Sequence, residues 1–72
     1  MKRYSLIYVE GHTHREEAWS FGHNGLDEAE TIYEELLEGH MNLYNQGKLP
    51  HGFGLLLIDN ENNQVLRQYV KC

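Results

Sequence analysis

The chain has one cysteine, Cys72, and one proline, Pro50, among 72 residues. A lone thiol excludes an internal disulfide framework and fits a reducing compartment, so the expected location is cytoplasmic. The longest aliphatic run, Leu55 to Ile58, is far too short to cross a bilayer, which takes about 20 apolar residues. No secretory-type apolar stretch follows Lys2 and Arg3, and no membrane association is expected. No glycine-rich run leads into a Lys-Ser/Thr pair, which excludes a phosphate loop. A nucleophile with matching acid and base is also missing: Ser5 and Ser20 fall in extended segments and Cys72 is terminal. Paired carboxylates such as Glu16 and Glu17 suit acid–base work, but so small a domain offers little pocket to dry them.

Basic residues are scarce where acids are dense. Residues 16–47 hold eight acids (Glu16, Glu17, Asp27, Glu28, Glu30, Glu34, Glu35, Glu38) and no Lys or Arg. The flanking segments are slightly positive, and the formal net charge is −5. Such a balance disfavours direct binding to nucleic acid or to an anionic membrane. Aromatic residues on a sheet invite comparison with single-strand binders, but those line their groove with positive charge. That reading requires Arg3, Arg15, Arg67 and Lys71 to cluster.

What is present is ordinary globular material. Hydrophobic residues make up 40% and charged residues 24%, which excludes wholesale disorder. A chain this short makes one domain, residues 1–72, and buries only about 60% of its unfolded surface.

Arg3 to Val9 reads as a strand with Tyr4, Leu6 and Tyr8 on one face and Ser5, Ile7 and Val9 on the other. Apolar groups on both faces imply cover on both sides, at least in part. Glu10 to Arg15 reads as a turn and Glu17 to Gly22 as a second strand, with Trp19 and Phe21 sharing a face. After His23-Asn24-Gly25, Asp27 and Glu30 form a capping-box pattern. Ala29, Ile32, Tyr33, Leu36, Leu37, His40, Leu43 and Tyr44 then recur at helical spacing. Gly47 is suited to end that helix in a left-handed conformation, while Gly39 marks either an early stop or a close approach to the sheet. Phe53 to Ile58 and Gln64 to Lys71 are strands joined by the turn formers Asp59 to Asn63, a hairpin. The order β-β-α-β-β predicts a two-layer α+β domain, a four-stranded antiparallel sheet with one helix on one face. The other face then lacks cover. Some of Tyr4, Tyr8, Trp19, Phe21, Phe53 and Tyr69 are expected there if they cannot all fit beneath the helix, which makes it a candidate interface.

His12 and His14 fall on one side of an extended segment, and His23 nears them if the first two strands pair. Three histidines with an open position suit catalytic zinc. The pattern has no His-Glu-x-x-His helix and no cysteine pair, so polar surface is the plainer reading and no cofactor is expected. His40, on the helix's apolar stripe, reads as a hydrogen-bonded, partly buried histidine, and His51 as loop surface.

Glu30, Glu34 and Glu38 recur at i, i+4 and i+8, where like charges destabilise a helix by roughly 0.2–0.5 kcal/mol per pair. A solvated, solubilising face is the plain reading. The functional reading is a docking face for a protein with a basic surface, formed by Glu30, Glu34, Glu35 and Glu38. Phosphate mimicry, in which this helix occupies a protein's nucleic-acid groove, is its sharper form. The expectation is therefore a non-catalytic protein-binding domain, an inhibitor or modulator of a larger and nucleic-acid-binding assembly, contacting its partner through these acids and through Tyr4, Tyr8, Trp19 and Tyr69. It is expected to form a homodimer, because one helix cannot cover both sheet faces. The alternatives are a metal-dependent or acid–base enzyme using His12, His14 and His23, and a purely structural oligomerisation unit. In size, charge and layout the chain is similar to many small single-domain proteins, phage- and plasmid-encoded blockers of host machinery among them. No functional residue is carried over from that similarity.

Overall fold

The computed structural model describes residues 2–11 and 15–71, with backbone alone for Arg15 and Glu16. The elements are strand β1 (Tyr4–Glu10), strand β2 (Arg15–Phe21), helix α1 (Leu26–Asn45), strand β3 (Phe53–Asp59) and strand β4 (Gln64–Lys71). All four strands pair antiparallel in the order β2-β1-β3-β4. The helix lies across one face, giving the expected α+β domain. No helix among the described residues is long and apolar enough to cross a membrane.

Register decides which side chains meet the helix. Leu6 faces Leu57 across β1 and β3, Tyr8 faces Leu55, and Trp19 and Tyr69 extend the same rows onto the edge strands. Leu6, Leu55 and Leu57 are completely buried at the centre of this face. Tyr4, Tyr8, Tyr33, Ala29 and Phe53 surround them. Leu49, in the connection between α1 and β3, closes the core from a position with no periodic signal in the sequence.

The helix begins at Gly25, whose carbonyl accepts from the Ala29 amide at 2.8 Å. The expected capping box does not form. Asp27 lies inside the first turn and makes no side-chain cap; its backbone carbonyl accepts from Thr31 Oγ1 at 2.8 Å. Asp27 and Glu28 still place negative charge at the positive end of the helix dipole. At the other end Gly47 adopts φ +78°, as its position suggested. The Gly47 amide donates to the Tyr44 carbonyl and the Lys48 amide to the Leu43 carbonyl, a double closure of the last turn. Gly39 neither stops the helix nor admits the sheet: it is exposed, with nothing within 4 Å of where a Cβ would lie.

Candidate interaction surfaces

The sequence leaves both faces of β1 apolar, and the structure divides its residues sharply. Every aromatic expected as surplus lies on the helix side. Tyr4 and Tyr8 are buried, while Trp19 and Tyr69 sit half-buried along the flanks of α1. A helix of 20 residues runs about 30 Å, long enough to shelter them all. Tyr8 packs against His40 with ring centroids 4.4 Å apart and planes tilted by 39°, Phe53 meets Tyr69 at 5.9 Å, and the Tyr69 hydroxyl reaches Met41 Sδ at 3.8 Å. The expectation that surplus aromatics line the uncovered face is therefore corrected: these rings pack the core.

The uncovered face is aliphatic instead. Ile7 and Val9 of β1 and Leu56 and Ile58 of β3 are half-exposed, and Val65 and Val70 of β4 are 49% and 62% exposed. Ser5, Ala18, Ser20, Gly54 and Gln68 complete it, so no described side chain on this face is charged. Glu16 occupies the register position opposite Val9, at the edge.

Charge is concentrated on the opposite side of the molecule. Asp27, Glu28, Glu34, Glu35 and Glu38 are exposed along α1 and Glu30 is half-buried. Relief of the acidic row comes from the sheet. Arg67 of β4 places Nη2 3.2 Å from Glu34 Oε1 while its guanidinium lies 5.4 Å from the Tyr33 ring centre. Lys71, four residues on, sits over Tyr44 at 5.3 Å. Among the described residues, Arg67 makes the one ion pair to a helix acid. Burial raises the Tyr33 hydroxyl pKa above the ordinary tyrosine value, and Arg67 opposes the rise.

The described cations do not gather into a groove. Arg3 lies over Tyr4 and pairs with Asp59 and Glu61, whereas Arg67 and Lys71 line the helix side of β4. The Arg15 side chain lies outside the described residues. Among the described cations, the clustering required for a single-strand nucleic-acid binder is absent.

His12 and His14 also lie outside the described residues. His23 follows Phe21, at the end of β2 remote from Arg15, and its Nδ1 approaches Glu61 Oε2 at 3.6 Å. Among the described residues no group of three His, Cys, Asp or Glu is placed to hold a metal. His51 is exposed in the turn before β3, as expected. His40 is half-buried, with Nδ1 2.7 Å from the Leu36 carbonyl; the ring nitrogen donates there, since a carbonyl only accepts.

One cleft escaped sequence reasoning. Between α1 and the β1–β2 hairpin, Tyr8, Trp19, His40 and Leu49 enclose about 220 Å³, with Glu10 and Glu17 at its wall. Glu10 and Glu17 each already engage a neighbour. Among the described lining residues there is no Ser, Thr or Cys to act as a nucleophile. Only strand pairing brings Glu10 near Glu17, and no spacing in the chain announces it. The chain matches no protein-family model, no curated protein and no solved structure.

Proposed function

We propose that the protein is a small, non-catalytic protein-binding domain whose acidic helix face docks onto a basic protein surface. In occupying that surface it acts as an inhibitor or modulator of a larger assembly, such as one built on a nucleic-acid-binding protein. The observation that supports the reading is the segregation of charge: exposed acids along α1, one paired cation among them, and an opposite face without described charge. Glutamates grouped on one rigid helix steer a basic partner by long-range attraction and make the encounter rate sensitive to salt. The same reading includes self-association, since one helix covers one sheet face and leaves aliphatic area on the other.

Affinity capture from lysate of the source cells, with the parent compared to a Glu30/Glu34/Glu35/Glu38→Gln variant, tests the docking face. A basic protein should be retained by the parent at low salt, released as salt rises, and lost with the variant. Equal capture by both proteins at low salt would remove the acidic face from the interface.

A further inference from the structure

We infer that the uncovered sheet face closes on a second copy of this chain, with Ile58 of each copy seated in the trough over Gly54 of the other. The inference rests on the self-association proposed above and assigns its surface.

Gly54 is the first ground. It sits in β3, an interior strand of the sheet, where glycine weakens pairing and often marks close approach by another molecule. Nothing inside one copy requires it. Its φ is not positive, and a Cβ there would meet only the Tyr69 carbonyl oxygen at 3.9 Å and Val70 Cγ2 at 4.0 Å, ordinary contacts. A largely apolar trough of about 350 Å³ runs over Gly54 between Val9 and Val70, bordered by Leu56 and Gln68; His51 and Lys71 also line it, the Lys71 Nζ being turned to Tyr44.

Spacing is the second. Gly54, Leu56 and Ile58 follow at two-residue steps on the open face of β3. Consider a twofold axis between two stacked sheets, perpendicular to the strands and passing over Leu56. It reverses β3 onto itself and carries Ile58 over the second copy's Gly54. The same operation exchanges Val65 with Val70 on β4 and Ser5 with Val9 on β1. Knob meets trough twice, as a self-complementary interface requires, and stacked sheets pack aligned to within about 30°.

Charge is the third. Among the described residues no side chain directed to this face is charged, and the axis sets the register position of Glu16 over Ser20 rather than over a second Glu16. The acids of α1 point outward. Sheets packed about 10 Å apart, with a helix layer about 10 Å beyond each, separate the two acidic faces by roughly 30 Å. That exceeds the screening length of about 10 Å at moderate salt. The buried patch is modest. Four strands about 4.8 Å apart and seven residues long cover roughly 440 Å² per copy, below the standard size of stable interfaces and in the range of weak, transient ones, so copies exchange rapidly.

Sedimentation equilibrium from low to high micromolar concentration tests the assignment on the full chain and on Ile58→Glu and Gly54→Val. The parent should move from 8.5 kDa toward twice that mass. Ile58→Glu should remain monomeric with an unchanged circular dichroism spectrum. Gly54→Val adds apolar area and a better strand former, so unspecific sticking would strengthen, whereas a filled trough should weaken association by about tenfold or more. If Ile58→Glu fails to fold, Gly54→Val carries the test, because its Cβ finds room. A parent that stays monomeric overturns both self-association and this interface. A parent dimer that survives Ile58→Glu, or a Gly54→Val dimer as tight as the parent, overturns the seating of Ile58 while leaving self-association in place.

Discussion

Arg3 grips both carboxylate oxygens of Asp59, 56 positions away, with Nε 3.4 Å from Oδ1 and Nη2 3.3 Å from Oδ2. The Glu61 amide and Asn62 Nδ2 donate to the same carboxylate at 3.0 and 3.1 Å. Asn60 completes the clamp by donating from its side chain to Ser5 Oγ at 2.7 Å and from its backbone to the Arg3 carbonyl at 2.6 Å. The β3–β4 turn thereby holds the start of β1 against the end of β3, where Tyr4 and Asp59 are register partners. Because a one-residue slip in β1 would exchange Leu6 for Ile7 beneath the helix, this clamp protects the core.

Acid should loosen the clamp. The Arg3 hydrogen bonds, aided by the Glu61 amide, hold the Asp59 carboxyl below its ordinary 3.8. A carboxyl depressed in the folded state stabilises fully above the unfolded value, and that contribution is lost as pH falls through the folded one. Urea unfolding midpoints of the parent should therefore fall as pH drops below about 4. Asp59→Asn should be less stable than the parent at pH 7 and should lose less between pH 7 and pH 3. An acid limb identical in the two proteins would remove Asp59 from the pH dependence.

One substitution should have opposite effects at two glycines. At Gly39, exposed in the helix interior with open space about it, Ala should stabilise by about 1 kcal/mol. At Gly47 the backbone holds φ +78°, where a Cβ meets the neighbouring carbonyl, and Ala should destabilise by roughly 1–2 kcal/mol. Paired thermal or urea unfolding curves check both. Stabilisation by Gly47→Ala would show that the helix ends differently in solution.

The acidic row should not respond uniformly. Glu38→Gln removes two like-charge contacts, with Glu34 at i−4 and Glu35 at i−3, and should stabilise by roughly 0.4–1 kcal/mol. Glu34→Gln removes two repulsions but also the exposed pair with Arg67, itself worth about 0–1 kcal/mol. These effects offset, and the net change should be smaller than the two repulsions alone. Unfolding of both single variants and of Glu34→Gln/Arg67→Gln, read as a double-mutant cycle with Arg67→Gln, separates the terms. A stabilisation by Glu34→Gln as large as that by Glu38→Gln would mean that Arg67 does not hold the pair in solution.

Much of this architecture is legible in the chain because its causes are local. Ala29 through Tyr44 recur at helical spacing, and Asp59 to Asn63 supply consecutive turn formers, so the helix and the hairpin follow directly. The tyrosines are harder. Both faces of β1 are apolar, and only the register with Leu55 and Leu57 puts Tyr4 and Tyr8 beneath the helix rather than opposite it. Asp59 reads as one turn residue among five because its partner lies at the far end of the sequence. The helix-side cleft and the Arg67–Glu34 pair arise the same way, from strand pairing and packing that no local pattern encodes.

Tyr33 gives an alkaline counterpart to Asp59. Burial between α1 and the sheet raises its pKa above the ordinary 10.0, and the nearby Arg67 guanidinium partly opposes that rise by favouring the phenolate. A tyrosine raised in the folded state stabilises fully below its unfolded pKa, and that contribution is lost as pH climbs through the folded value. The parent should therefore weaken at alkaline pH. Arg67→Gln removes the charge that favours ionisation, so Tyr33 should titrate higher still. It also removes the cation from the ring face and leaves Glu34 without its sheet partner, at a cost of about 0.5–1 kcal/mol at pH 7. Carbon-13 NMR of labelled tyrosine follows each ring separately as pH rises. A Tyr33 that titrates at or below 10.0 in the parent, or moves lower in Arg67→Gln, would show that burial does not govern this hydroxyl.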